Sequence, residues 1–377
     1  MAALFEENTI NGMTMRNRMV RSATWEGMCE QDGRPTEKLA NCYRDLAQGG
    51  VGLIITGFTF VRQEGKALPG KMGIHTDDFA GDYKNLARAV HDAGGKIAVQ
   101  LVHAGGKADA KATGRQPLAP SSVEDDQFPE MPSELTKDEI NDIVTAFGEG
   151  ARRAKAWGID AVQLHGAHGY LINQFLSPHI NRRGDAYGGS IENRSRFLFQ
   201  VYQKVRDKVG ADFPVLIKLN ASDNLDAGLT IDDAIYAAKK LSDTGIDAIE
   251  VSSGNSASGK KVPARLKINK PEKEAYNLEL ALQIKEAVSC PIMVVGGFRS
   301  YEVAEKALQD NGVDYIAMAR PLVREPGLPN RWLQGDRRPA QCISCNNCFQ
   351  PGMEEGGIYC VIEKKEREKA AKKGGRL

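Results

Sequence analysis

The chain has 377 residues, a net charge of +1 and an ordinary apolar share of 41%. That length suits one large α/β barrel or two ordinary domains, and the near-zero charge leaves no overall nucleic-acid footprint. No uninterrupted apolar stretch could span a bilayer and the N-terminus lacks a secretory apolar core, so a cytoplasmic protein with no membrane or nucleic-acid partner is expected.

Thr9-Ile10-Asn11-Gly12-Met13-Thr14-Met15 reads as a hairpin around an Asn-Gly turn, placed to close the bottom of a barrel. Strand-length apolar runs then follow from Met19 to Ala23, Val51 to Thr56, Ile97 to Val102 and Ala161 to His165. Four more run from Val215 to Leu219, Ala248 to Ser252, Pro291 to Val295 and Tyr315 to Ala319. An internal repeat joins several of them. Trp157-Gly158-Ile159-Asp160-Ala161-Val162 recurs as Thr244-Gly245-Ile246-Asp247-Ala248-Ile249 and as Asn311-Gly312-Val313-Asp314-Tyr315-Ile316. Each copy follows an amphipathic helical stretch, so the Gly fits a left-handed helix end and the apolar run a buried parallel strand. Eight strands separated by helices predict an α/β chain folded as a (β/α)8 TIM barrel. The alternative, an open doubly wound sheet, usually announces itself with Gly-x-Gly-x-x-Gly after an early strand, and no such motif is present.

Gln116 to Pro132 is rich in proline and acid and reads as a long loop, either a wall of the site or a surface excursion. Ser133 to Glu139 opens a helix with Thr136 as its N-cap. The charged run from Glu363 to Leu377 reads as a frayed helix or disordered tail, with a basic docking peptide as the alternative.

The chemistry-bearing residues cluster at strand ends. His165, His168 and Tyr170 follow the fourth strand. Two histidines three apart fit a metal pair, a satisfied core pair or an anion site. A metal would need a further ligand aimed at the same point, whereas two imidazoles and a phenol suit oxyanion stabilisation and proton donation. Gln100 lies near the end of the third strand. Lys218 interrupts an apolar strand, where an unpaired charge is costly. Gly296 and Gly297 follow the seventh strand, and Ala319 and Arg320 the eighth, a combination suited to an anion clamp. Four of the seven cysteines, Cys342, Cys345, Cys348 and Cys360, crowd near the C-terminus. Three thiols at two-residue gaps plus a fourth suit a [4Fe–4S] cluster or zinc, with free thiols as the bland reading, and Gly352, Gly356 and Gly357 let the chain fold back to bring Cys360 in. Cys29, Cys42 and Cys290 are scattered and read as structural.

The stretch from Val162 to Phe197 carries His-x-x-His-Gly-Tyr-Leu, Gln-Phe-Leu-Ser-Pro and Asn-Arg-Arg-Gly-Asp-x-Tyr-Gly-Gly-Ser-x-Glu-Asn-Arg-x-Arg-Phe. It closely resembles the old yellow enzyme family of flavin-dependent ene-reductases, and the resemblance covers nearly the whole chain. It implies that His165 and His168 hold the substrate's carbonyl oxygen and that Tyr170 protonates the α-carbon while reduced FMN delivers hydride to the β-carbon. Substrates would be small enones or enoyl thioesters. NAD(P)H is the implied reductant, and it needs no dinucleotide motif because it stacks on the same flavin face. Gln100, in a block resembling Gln-Leu-x-His-x-Gly-x-Lys, would hold the pyrimidine edge. Lys218, where relatives often carry Arg, would face N1. Ala23 and Thr24 would lie against N5 and O4, with the Thr24 hydroxyl tuning the flavin, and Gly57 would leave room for the ring. Gly296, Gly297, Ala319 and Arg320 would clamp the phosphate. Glu26 falls where one branch has a substrate-touching tyrosine. The cysteines resemble those of the barrel domains of trimethylamine dehydrogenase and bacterial 2,4-dienoyl-CoA reductase, which carry a [4Fe–4S] cluster beside the FMN. Those relatives continue into a nucleotide-binding module. So little sequence follows Cys360 here that no second flavin domain is expected, and any cluster would exchange electrons with another protein. The expected organisation is a barrel over residues 1–338 and a Cys-rich extension with a charged tail over 339–377, in a homo-oligomer. Two other functions remain open: an electron-transfer subunit of a larger complex, and a metal-dependent barrel lyase with His165 and His168 as ligands.

Overall fold

The computed structural model describes residues 3–374. Eight parallel strands close on themselves: β1 (Met19–Arg21), β2 (Leu53–Ile55), β3 (Lys96–Val102), β4 (Ala161–Gly166), β5 (Val215–Asn220), β6 (Ala248–Ser252), β7 (Ile292–Val295) and β8 (Tyr315–Met318). Each pairs with the next, and β8 pairs with β1, so no sheet edge is left in the barrel. This is the expected TIM barrel, with every strand within two residues of its sequence-predicted bounds.

The hairpin forms from Asn8–Ile10 and Met13–Met15, with Asn11 and Gly12 at φ 41° and 77°. Its Ile10, Met13 and Met15 pack against the lower inward-facing residues Val20, Leu53, Ala98, Ala161, Leu216, Ala248, Met293 and Tyr315. The hairpin thus plugs the barrel's amino-terminal end and keeps water from it, leaving the carboxyl ends of the strands open.

The internal repeat has a structural meaning beyond its glycine. Gly158, Gly245 and Gly312 adopt φ of 85°, 91° and 69°, as left-handed helix ends. The aspartate two residues later then bonds the first part of the preceding strand. Asp160 accepts from the Ile97 amide at 2.9 Å, Asp247 from Val215 at 2.7 Å and Asp314 from Ile292 at 2.8 Å. Each returns a backbone bond from its own amide to the same residue's carbonyl. A cation completes each corner: Lys96 on Asp160, Arg206 on Asp247 and Lys285 on Asp314. The repeat is therefore a set of welds between β3 and β4, β5 and β6, and β7 and β8.

Thr136 caps the helix Lys137–Ala156 in a reciprocal capping box with Glu139. Ser133 and Glu134 do not open that helix. They form a short strand beside Leu118–Ala119, so the excursion is braced rather than a plain loop. The fingerprint after the fourth strand supplies the brace. Arg183 holds Asp185 at 2.8 Å and donates to the carbonyls of Pro120 and Leu135. Asn181 donates to the carbonyls of Phe175 and Tyr187. Much of the long family motif is thus scaffold for the site, not the site itself.

The tail is helical from Val361 to Gly374, anchored by Arg324 on Glu366 at 2.6 Å. The last three residues of the charged run lie outside the described residues. The Cys-rich segment docks on the barrel top, where the Ile358 amide donates to the Glu26 carbonyl and Asn346 donates to the Ala264 carbonyl.

Candidate active site

A cavity opens at the carboxyl ends of the strands, lined by Ala23, Thr24, Gln100, His165, His168, Tyr170, Lys218, Gly297, Ala319 and Arg320. The alternation of β-strands explains the convergence. Ala98, Ala161, Leu216 and Ala248 point inward in the apolar layer. Two residues further along the same strands stand Gln100, Gln163, Lys218 and Glu250, so a polar layer covers the apolar one.

That layer is a continuous network. Gln100 donates to Gln163 at 2.8 Å, and Gln163 donates to Glu250 at 2.8 Å. Ser22 donates to Glu250 at 2.6 Å, and Lys218 donates to Ser22 at 2.8 Å and lies 3.2 Å from Glu250. A buried lysine needs a countercharge, and the resemblance implies a negatively charged reduced flavin as its source. The structure supplies it from the neighbouring strand, in register, as Glu250. Burial lowers the Lys218 ammonium below the usual lysine range, and Glu250 opposes that shift without cancelling it.

Two residues beyond Gln163 comes His165, and His168 follows three residues later. His165 is 5% exposed and its Nδ1 has no partner. His168 sits at φ 62° on the turn after β4, and its Nε2 lies 2.7 Å from Ser252 Oγ. The turn is held by Asn220, which accepts from the His168 amide, and by Asn173, which accepts from the Gly169 amide at 2.6 Å. Both asparagines donate to Asp223. The ring of His165 meets His168 at 5.1 Å and Tyr170 at 4.9 Å between centroids. Burial holds both imidazoles well below the usual histidine range, with nearby positive groups adding to the effect, so both are neutral hydrogen-bond donors at pH 7. Burial pushes the Tyr170 phenol up to about 12, keeping its proton in place.

Two expected contacts, Gly57 and Gly296, fall elsewhere. Gly57 is not on the cavity wall. A Cβ there would meet the Glu26 carboxylate at 2.3 Å and the Thr24 carbonyl at 2.7 Å, so the glycine makes room for Glu26. Gly296 lies under the backbone of Tyr276 and Asn277, leaving Gly297 as the glycine on the wall. Glu26 does not reach the cavity: it is buried against Arg21 at 2.6 Å and accepts from Tyr43 at 2.8 Å. Thr24 does line the cavity, and its hydroxyl donates to the Ser22 carbonyl at 2.9 Å.

The sequence reading also missed residues. Gln163 and Glu250 interrupt apolar strands in the way Lys218 does, and that signal would have found them. Lys71 and Phe58 reach the cavity from just before two-residue strands and Phe349 from a three-residue helical turn, segments too short to carry a periodicity. The excursion walls a second groove, where Gln127, Phe128 and Pro129 face Lys107 and Tyr170.

Cys342, Cys345, Cys348 and Cys360 line one small cavity beside Arg320, which they share with the larger site. Burial and the neighbouring thiols raise Cys348 to about 11, and burial raises Cys342. Such thiols cannot ionise together without a cation among them. Among the described residues, no three His, Cys, Asp or Glu side chains are grouped as a single-ion site requires. That tells against His165 and His168 as lyase ligands.

Fold and site define a barrel enzyme whose open end joins neutral hydrogen-bond donors to a phenol above a buried polar layer. The chain belongs to the NADH:flavin oxidoreductase / NADH oxidase family, whose model matches residues 3–338, and it is a flavin-dependent oxidoreductase. It is 38% identical over 86% of its length to an NADPH dehydrogenase of Geobacillus sp. (strain WCH70), covering 92% of that relative. It is 36% identical over 91% of its length to an NADH oxidase of Thermoanaerobacter brockii, of which it spans only 52%. Its fold matches that of a 2-naphthoyl-CoA reductase in complex with 2-naphthoyl-CoA with a TM-score of 0.86 at 28% identity. That match covers 94% of this chain and 56% of the other. Among the described residues no helix is long and apolar enough to cross a membrane.

Proposed function

We propose that the protein reduces an activated C=C bond of an α,β-unsaturated carbonyl compound or thioester. The observation that carries this reading is the grouping of His165, His168 and Tyr170: two neutral imidazoles beside a protonated phenol at the mouth of the polar layer. FMN, typical of the family, would supply the hydride. The residues present fit it. Gln100 and Lys218 offer a donor-rich edge, Ala23 and Thr24 a wall, and Gly297, Ala319 and Arg320 a place for a terminal phosphate. His165 and His168 then hold the carbonyl oxygen, where negative charge grows as the β-carbon is attacked. His165, with an unpartnered ring nitrogen, can turn to that oxygen without breaking another bond. Tyr170 gives its proton to the α-carbon, and burial keeps that proton available across the physiological range. The Lys218–Glu250 pair holds the floor rigid.

NAD(P)H as electron donor is supported by the names of the relatives. A thioester acceptor is supported by the naphthoyl-CoA complex of the similar structure. The four cysteines around one cavity favour a [4Fe–4S] cluster, which would supply one-electron exchange with a partner protein, and Cys342, Cys345, Cys348 and Cys360 would hold it. The test is anaerobic. Protein-bound flavin reduced by NADPH is mixed with 2-cyclohexenone, and reoxidation with one saturated product per flavin is expected. Reduced flavin that persists beside the enone yet discharges to a one-electron acceptor would favour the electron-transfer reading instead.

A further inference from the structure

The cavity is charged on one side only. Lys71, Lys218 and Arg320 line it, and no carboxylate does. Lys218 has Glu250. Arg320 donates to the Arg265 carbonyl at 2.8 Å and to Asn346 Oδ1 at 2.7 Å. Lys71 has no such tether. It is 2% exposed, and among the described residues it forms neither a hydrogen bond nor an ion pair. Its ammonium stands 3.9 Å from the centre of the Phe58 ring and 6.0 Å from that of Tyr170.

The charges facing Lys71 do not neutralise it. Glu26 attracts and Lys107 repels, but Glu26 is already committed to Arg21 and Tyr43. Burial lowers the Lys71 ammonium to about 7. A cation over an aromatic face recovers less than a buried ammonium loses on leaving water. Methionine or leucine would fill the same space without that loss. An unpaired ammonium aimed into a cavity is therefore a group held ready for an anion.

On the reading of the site given above, we propose that Lys71 recognises a carboxylate on the substrate, so that the acceptor is an anionic conjugated alkene and not a neutral enone. A carboxylate fits better than a phosphate. Lys71 offers a single point charge between the Phe58 and Tyr170 rings, and a dianion would leave one charge unmatched in an apolar wall. The reaction balances: the β-carbon gains hydride from reduced FMN and the α-carbon gains the Tyr170 proton. The products are the saturated acid and oxidised flavin, and the carboxylate is unchanged.

The holoenzyme is assayed with 3-benzoylacrylate and its methyl ester, which share the enone and differ in the carboxylate charge and one methyl group. Wild type should favour the acid in kcat/KM. The acid-to-ester ratio should fall by about ten- to a hundredfold in Lys71→Met, the range a charge-assisted hydrogen bond spans, and be largely kept in Lys71→Arg. Calorimetry with the saturated 3-benzoylpropionate and its ester reads the same preference without turnover. Lys71→Met should also raise Tm, since it removes an uncompensated buried charge. Lys71→Gln gives the same readings with a polar side chain in its place. An acid-to-ester ratio unmoved by Lys71→Met and Lys71→Gln, or an acid that binds wild type no better than its ester, would overturn the proposal. If the saturated acid binds in a Lys71-dependent way but neither alkene reoxidises the flavin, the alkene-reduction reading fails and carboxylate recognition stands.

Discussion

Lys218 and Glu250 face each other across neighbouring strands at 3.2 Å, both fully enclosed, in the floor of the site. The carboxylate also accepts from Ser22 and Gln163, so all its strong partners are internal. Breaking such a pair from one side leaves the other charge without compensation, at about 3–5 kcal/mol. Glu250→Gln should lower unfolding stability by roughly that amount in denaturant titration. It should also raise the reduction potential of bound flavin, because Lys218 then stands as a net positive charge. A Glu250→Gln protein with wild-type stability and potential would show the pair to be inert.

Tyr170→Phe removes the proton donor and leaves the ring that packs on Phe58 and His165. Flavin reduction by the donor should be little changed, whereas oxidation of reduced flavin by an enone should slow by ~10²–10⁴-fold. Stopped-flow measurement of the two half-reactions separates them. An unchanged oxidative half-reaction would mean that water supplies the proton.

Asp160 is the weld between β3 and β4. Burial alone would push its carboxyl up, but His91, the Ile97 amide and Lys96 outweigh that and leave it below the usual range. A depressed carboxylate adds stability above its unfolded value, and that contribution is lost as pH falls through the folded one. Asp160→Asn should therefore cost about 1–3 kcal/mol at pH 7. The gap to wild type should narrow as pH drops below about 4. A gap constant with pH would place the cost in packing instead of charge.

These cases show which parts of the molecule could be read from the chain. Strand positions, the hairpin plug and the helix cap were legible because they rest on local patterns: alternation, an Asn-Gly turn, a Thr-x-x-Glu box. His165, His168 and Tyr170 were legible because one motif carries all three. Glu250 as the partner of Lys218 was not, since that pairing depends on register between strands 32 residues apart in number. The displacement of Gly57 and Glu26 from the cavity follows from Arg21 and Tyr43, which claim the carboxylate from below. Lys71 lies just before a two-residue strand, too short for a period to mark which side chains turn inward.

The cysteine loop is tied to the cavity through Asn346, which accepts from Arg320 and sits between Cys345 and Cys348. About four irons and four acid-labile sulfides per chain are expected after anaerobic purification, as a [4Fe–4S] cluster requires. Cys345→Ala should lose them and loosen flavin binding through the Arg320 contact. One zinc and no labile sulfide would reduce the loop to a structural clasp.

On the proposed reading the barrel holds FMN above the Gln100–Gln163–Glu250–Lys218 layer with its phosphate at Arg320. The most direct measurement is the identity and amount of flavin released by heating the purified protein. Close to one FMN per chain is expected, lost on Arg320→Ala. Release of FAD, or a chain that takes up no flavin when FMN is supplied in excess, would contradict it.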